Sequence, residues 1–214
     1  MKDQLITGIF THVLPSTLLW QVKTDKKQVY LTFDDGPIPE LTEEILDILS
    51  KYDSKATFFC VGENVARNRE TYSKILEQGH ATGNHTHRHL KGWGTNFADY
   101  IEDVAAAARL IDSSLFRPPY GLISYRQAKA LSKHYQVVMW SVLTKDYDSS
   151  VSKEECLAAA IQGTRPGAII VFHDNIKARE KVLYALPGYL EHLGKEGYKT
   201  VKLEMYHKVA SSDG

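Results

Sequence analysis

The chain has 214 residues, of which 43% are hydrophobic and 24% are charged, the balance of an ordinary globular protein. Its 26 basic residues equal its 26 acidic residues, so no overall field attracts nucleic acid or an anionic membrane surface. The two cysteines, Cys60 and Cys156, are too few for a disulfide scaffold or a cysteine-based zinc knuckle, and we expect both to be buried.

The first apolar stretch, residues 13–20, is interrupted by Pro15, Ser16 and Thr17. It is too short and too polar for a transmembrane helix, and it lacks the basic start and the cleavage site of a secretory signal. We therefore expect no membrane span and a cytoplasmic location, unless a leader is missing from this sequence. The low cysteine count favours the same compartment.

Strand-like apolar runs then alternate with amphipathic helical segments. The predicted strands cover residues 30–33, 56–60, 80–84, 115–117, 136–140, 168–172 and 199–203. The predicted helices cover residues 40–49, 63–78, 100–111, 124–134, 152–162 and 178–193. This alternation predicts a parallel α/β architecture, and no linker, repeat or low-complexity stretch divides it into domains.

Chemically unusual residues follow five of these strands. They are Asp34 and Asp35 after the first strand, residues 85–89 after the third, 117–120 after the fourth, 144–146 after the fifth, and His173 with Asp174 after the sixth. Because the C-terminal ends of parallel strands lie on one face, where α/β barrels carry their active sites, we expect these segments to converge.

The adjacent carboxylates Asp34 and Asp35 are the most informative of these residues. At the end of an apolar strand they would repel each other and lose solvation unless a cation lay beside them. An isolated Asp-Asp-Gly would more often be a helix cap and a turn, but the histidines of residues 85–89 (His-Thr-His-Arg-His) weaken that interpretation. Carboxylate and imidazoles together predict a metal site with a second acid beside it.

Five segments resemble the signature motifs of the polysaccharide deacetylases, the nodulation-deacetylase-like carbohydrate esterases of family 4. They are residues 32–36 (Thr-Phe-Asp-Asp-Gly), 85–89, 117–121 (Arg-Pro-Pro-Tyr-Gly), 143–147 (Leu-Thr-Lys-Asp-Tyr) and 171–174 (Val-Phe-His-Asp). The resemblance covers about residues 27–203. It implies a distorted (β/α) barrel of about seven parallel strands, a single catalytic domain over residues 1–214, and a metal-dependent hydrolase that removes N-acetyl groups from amino sugars.

The resemblance also implies the metal ligands Asp35, His85 and His89. Two neutral nitrogens and one anionic oxygen suit Zn²⁺ in a hydrolytic site, with Co²⁺ or Ni²⁺ as other candidates. A histidine pair spaced i,i+4 can face one way over one helical turn, whereas His87 should point away. The alternative for these histidines is a solvated surface cluster.

The remaining catalytic roles follow from the same resemblance. Asp34 would be the general base, oriented by Arg117, and His173 the general acid, held protonated by Asp146. The backbone N–H of Tyr120 would stabilise the oxyanion of the tetrahedral intermediate.

Three residues depart from the usual motifs. Leu143 replaces an acid and Tyr147 a tryptophan in the fourth motif, while Val171 replaces the common leucine of the acetyl pocket in the fifth. These changes leave the catalytic set intact and alter the substrate pocket. We predict that Tyr147 and Val171 contact substrate together with Tyr120, Trp140 and Trp93; for Trp93, a sugar-stacking platform and a partly buried anchor are equally compatible with the sequence.

Two other functions fit part of this pattern. Two histidines and a carboxylate also bind Fe(II) in oxygenases, but those usually have antiparallel β folds and a His-x-Asp spacing. A non-catalytic carbohydrate-binding relative should lack the base or the acid, and both are present here. We therefore expect an N-acetylated glycan (peptidoglycan, chitin oligomer or glycan precursor) or a small amino-sugar as substrate, with no nucleic acid and no obligate protein partner. If the protein has no leader, a wall polymer is harder to reach, and we then expect a soluble substrate.

Overall fold

The computed structural model describes residues 18–205, and within them the chain forms eight strands and seven α-helices. The strands are β1 (Gln28–Asp34), β2 (Thr57–Cys60), β3 (Ala81–Asn84), β4 (Leu115–Phe116), β5 (Gln136–Val137), β6 (Val142–Leu143), β7 (Ile169–His173) and β8 (Lys199–Thr200). The helices are α1 (Leu41–Lys51), α2 (Gly62–Arg67), α3 (Arg69–Glu77), α4 (Phe97–Ala108), α5 (Tyr125–Leu131), α6 (Lys153–Gln162) and α7 (Arg179–Glu196), with a 3₁₀ turn at Pro119–Gly121.

All strand pairs of the sheet are parallel. The strand order is β5-β4-β3-β2-β1-β7-β6, and β8 pairs with the first two residues of β1. The central strand β1 places Phe33 beside Phe58 of β2 and Phe172 of β7. The sheet curls into a half-barrel covered by helices, so the predicted distorted (β/α) barrel is confirmed.

The seam of the barrel lies between the two ends of this strand order, β5 and β6. Residues 19–22 cross it: Leu19 bridges to Val138, next to β5, and Gln21 bridges to Ala168, next to β7. Leu18 and Val22, on either side of these bridges, are buried. The packed core therefore begins before residue 27, where the motif resemblance begins.

Alternation along β1 separates the hydrophobic core from the site. Val29, Leu31 and Phe33 are buried in the apolar layer beneath the helices. The residues between them face the barrel interior, where Tyr30 packs in a second apolar cluster and Asp34 is the last residue of the strand. Since successive side chains of a strand point to opposite faces, this register brings the Asp34 carboxylate into the barrel.

Several predicted elements have different bounds in the structure. The helix predicted over residues 63–78 is two helices, because Asn68 leaves helical geometry (φ −126°) and its amide donates to the Pro37 carbonyl at 3.0 Å. The strand predicted over residues 136–140 ends at Val137, and a separate strand, β6, precedes residues 144–146. The last strand is only two residues long.

Two smaller expectations concern the cysteines and the membrane. Cys60 and Cys156 are free and buried, as predicted. None of the helices between residues 18 and 205 combines the length and the apolar character needed to cross a bilayer.

Candidate active site

The segments that follow the strands converge on one cavity of about 560 Å³ at the C-terminal face of the sheet. Its walls contain the predicted metal ligands and the predicted base and acid, together with aromatic and aliphatic side chains. The lining residues are Asp34, Asp35, Ile38, His85, His89, Tyr120, Trp140, Leu143, Tyr147, Val171, His173, Asn175, Ile176 and Lys177. The structure therefore brings together residues that lie up to about 140 positions apart in the chain.

Asp35, His85 and His89 form a compact group at the floor of this cavity. Asp35 Oδ1 lies 3.0 Å from His89 Nε2 and 3.5 Å from His85 Nε2, and one ligand atom from each residue lies within 4.8 Å of the others. His85 Nδ1 lies 2.8 Å from the Arg117 carbonyl oxygen, which can only accept, so Nδ1 carries the proton and Nε2 presents its lone pair to the cluster. The donor set thus fits a divalent cation.

The electrostatics of Asp35 point the same way. Burial opposes ionisation of this carboxyl. When the imidazoles are protonated, hydrogen bonds from His85 and His89 and the charges of His85 and His173 outweigh burial and hold the pKa of Asp35 well below its usual range. The carboxylate is therefore anionic at any pH at which the protein would work.

Bends in the chain, rather than a helical turn, make the two histidines converge. Thr86 and His89 have left-handed backbone angles (φ 63° and 55°), and residues 85–89 are not helical. Asp103 of α4 accepts the backbone N–H groups of His87 and Arg88 at 2.8 and 3.0 Å, which fixes the loop. The expected helical spacing was wrong, although the pair does face one way; His87 lies outside the cluster, as predicted.

The predicted base, Asp34, is held by Arg117 inside the barrel. Arg117 Nη1 donates to Asp34 Oδ1 at 2.6 Å and to Thr32 Oγ1 at 2.8 Å, and Nη2 donates to the Met139 carbonyl at 3.0 Å. The guanidinium is completely buried and stacks over the Phe59 ring at 4.1 Å. These contacts fix the position of the cation beside Asp34.

The predicted acid, His173, is paired with Asp146. His173 Nδ1 lies 2.7 Å from Asp146 Oδ1, and the His173 backbone N–H donates to Asp146 Oδ2 at 2.7 Å. Burial alone would lower the pKa of His173. The charge and the hydrogen bond of Asp146 outweigh burial and raise the pKa to about 9. The imidazole is therefore protonated at neutral pH.

The cavity walls contain four of the five predicted substrate-contacting residues. Tyr120 packs against His89 and Tyr147 against His173, each with ring centroids 4.8 Å apart, and Trp140 and Val171 complete the wall. The fifth, Trp93, does not line the cavity. The loop that carries Trp93 packs against residues 122–127, and its indole N–H donates to the Ile123 carbonyl at 3.0 Å. The prediction that Trp93 contacts substrate therefore receives no support.

Sequence reasoning missed several residues at this face. Asn175 donates to Asp35 Oδ2 at 2.6 Å, and Ile38, Ile176 and Lys177 line the cavity mouth. Asn175 directly follows the motif at 171–174, so its position was the one available signal. Asp174 is fully buried beside this group, and burial raises its pKa to about 8.

Comparison with known proteins gives one family. A family model for polysaccharide deacetylase matches residues 21–138. A peptidoglycan-N-acetylglucosamine deacetylase of Bacillus cereus is 32% identical over 191 residues, covering 85% of this chain and 89% of the relative. A chitooligosaccharide deacetylase of Bradyrhizobium sp. is 29% identical over 200 residues, covering 85% and 91%.

A solved structure agrees with these sequences. The crystal structure of the Bc1960 peptidoglycan N-acetylglucosamine deacetylase superimposes with a TM-score of 0.80 at 31% identity, covering 87% of this chain and 91% of that one. The resemblance of five motifs, the curled parallel sheet and the family match agree. The chain belongs to the polysaccharide deacetylase family, hydrolases of carbohydrate esterase family 4 that cleave N-acetyl amide bonds of sugar polymers.

Proposed function

We propose that this chain hydrolyses the N-acetyl groups of an amino-sugar glycan with a divalent ion, Zn²⁺ in the first instance, held by Asp35, His85 and His89. The observation that carries the proposal is the meeting of three units in one cavity. They are the Asp-His-His cluster, a buried carboxylate fixed by an arginine, and an imidazole with a raised pKa.

The base side of the reaction is assigned to Asp34. An ion bound at the cluster would lower the pKa of a bound water and polarise the substrate carbonyl. Asp34 is the neighbour of the ligand Asp35 in the chain, lines the same cavity, and has its Oδ1 fixed by Arg117 at 2.6 Å. It is therefore placed to accept the proton that the attacking water loses.

The acid side is assigned to His173. Cleavage of the C–N bond needs a proton on the departing nitrogen, and the imidazolium maintained by Asp146 supplies one. The Tyr120 backbone lies in the 3₁₀ turn Pro119–Gly121 at the cavity edge, and we assign its N–H to the oxyanion. Acetate and a free amine are the products.

Two exposed tyrosine rings at the edge of the cavity favour a sugar polymer as substrate. Tyr120 and Tyr147 are 64% and 41% exposed on either side of the site, where their rings can stack on sugar faces. The named relatives act on peptidoglycan and on chitooligosaccharides, and we propose the same substrate class here.

The test uses Asp34→Asn and His85→Ala, with acetate release measured on N-acetylglucosamine oligomers and on peptidoglycan fragments, with and without a chelator. Asp34→Asn should keep its metal and lose about 10²–10⁴-fold in rate, the usual contribution of a general base. His85→Ala should lose the metal as well. Full activity in either variant, or glycan binding by the wild-type protein with no acetate release under any metal, would contradict the proposal.

A further inference from the structure

The two oxygens of the Asp35 carboxylate have different partners. Oδ1 faces the Nε2 atoms of His89 and His85, at 3.0 and 3.5 Å. Oδ2 accepts a hydrogen bond from the side-chain amide of Asn175, with Nδ2 at 2.6 Å. One carboxylate oxygen therefore faces the two imidazoles, and the other is occupied by the amide.

The orientation of the Asn175 amide is fixed by a second hydrogen bond. Its Oδ1 accepts the backbone N–H of Ala178 at 3.0 Å, just before α7 begins at Arg179. An amide whose oxygen is engaged in this way must present its nitrogen on the other side. The assignment of Nδ2 to Asp35 thus follows from both partners, because a backbone N–H only donates and a carboxylate only accepts.

The loop that carries Asn175 is attached to the loop that carries Asp35. The neighbouring Asp174 accepts the Gly36 N–H through Oδ1 at 2.8 Å and the Thr42 hydroxyl through Oδ2 at 2.8 Å. A Cβ at Gly36 would lie only 1.8 Å from Asp174 Oδ2, so the two segments pack too closely there for any side chain at position 36. Asn175 is consequently held at a fixed distance from Asp35 by the backbone as well as by its own amide.

We propose that Asn175 is a positioning residue for the metal ligand Asp35. By occupying Oδ2 it leaves Oδ1 alone to face the two imidazoles, so that the carboxylate offers the ion one oxygen instead of two. Groups that orient a ligating carboxylate in this way set both affinity and coordination geometry. The inference rests on the proposed metal site and extends it to a residue outside the family motifs.

The test compares Asn175→Ala with Asn96→Ala. Asn96 caps α4 by accepting the Ala98 N–H at 2.8 Å, so its replacement also removes a side-chain amide that accepts one backbone N–H, but touches nothing at the site. For each protein we would measure Zn²⁺ affinity by competition with a chromophoric chelator, the visible absorption spectrum of the Co²⁺ form, and the melting temperature of the metal-free form.

Asn175→Ala should lower metal affinity about 10–100-fold, the usual effect of removing such a partner. Its Co²⁺ spectrum should differ from that of the wild type because the freed carboxylate can bind through both oxygens. Asn96→Ala should match the wild type in both respects while losing similar thermal stability.

Three results would overturn the inference or its foundation. Wild-type affinity and spectrum in Asn175→Ala would show that Oδ2 needs no partner. Equal loss of affinity in both variants would assign the effect to general stability. A wild-type protein that binds no divalent ion would overturn the proposed function itself, a different failure because it appears before any substitution is made.

Discussion

Two carboxylate–cation pairs flank the cavity at nearly the same distance, 2.6 Å for Arg117–Asp34 and 2.7 Å for His173–Asp146. Burial and chemistry separate them. The guanidinium is enclosed and cannot lose its proton at any working pH, so the first pair is suited to be a fixed support for the proposed base, Asp34. The imidazole is partly open to the cavity and titrates with a pKa of about 9, so the second pair can deliver a proton. One contact geometry is thus rigid on one side of the cavity and suited to the proposed proton transfer on the other.

The largest effect should come from breaking the enclosed pair with Arg117→Ala. It leaves the Asp34 carboxylate buried without a partner, which typically costs about 3–5 kcal/mol in the free energy of unfolding, and acetate release should fall with it. Urea denaturation measures the loss. Arg179→Ala is the matched control, because Arg179 contacts Glu44 at the same 2.6 Å on the surface and should cost about 0–1 kcal/mol. Equal losses of unfolding free energy in the two variants would show that burial does not distinguish the two ion pairs.

The titrating pair is tested by Asp146→Asn and the pH profile of kcat/KM. His173 must be protonated to act as an acid, so activity should fall as pH rises through its pKa of about 9. Without the carboxylate that pKa drops, and the alkaline limb should move by about 1–3 units toward lower pH. Asp148→Asn serves as the control, since Asp148 contacts Ser150 in the same loop. If the alkaline limb of Asp146→Asn stays at the wild-type pH, His173 is not the general acid.

The smallest effect concerns the aromatic ring beside the titrating pair. Tyr147→Ala removes the edge-to-face contact with His173 and part of the cavity wall. An aromatic contact is worth about 0.5–1.5 kcal/mol, so kcat/KM should fall a few-fold to about tenfold. Trp93→Ala removes an aromatic of similar exposure (43% against 41%) outside the cavity and should leave kcat/KM unchanged. A larger loss in Trp93→Ala than in Tyr147→Ala would restore Trp93 as a substrate contact.

The site was more predictable than the elements that carry it. Asp34 and His173 end strongly apolar strands and Asp35 follows the first of them, and the parallel order alone places those ends on one face. Short elements were harder to predict: β5 and β6 have two residues each, too few for any periodicity to show where one stops. The helix break at Asn68 depends on a bond to the Pro37 carbonyl, far outside the local pattern.

The site residues that the sequence did not predict also depend on partners far away in the chain. Apart from its place directly after the motif at 171–174, nothing about Asn175 in the sequence indicates a contact with a carboxylate 140 positions earlier. The pairing of β1 with β7 brings the two residues together. The convergence of His85 and His89 similarly requires left-handed backbone at Thr86 and His89, which the sequence does not signal because neither is glycine. Contacts made through folding, rather than composition, decide these details.

The short crossing at residues 19–22 sets a limit for protein engineering. Leu19 exchanges backbone hydrogen bonds with Val137 and Met139, and Val22 donates to the Gly167 carbonyl at 2.9 Å. A shortened protein that starts at the first motif would lose these hydrogen bonds at both edges of the sheet. The unpaired edges could then pair with strands of other molecules. Shortened variants should therefore retain residues 18–22, because these residues make the contacts that close the sheet.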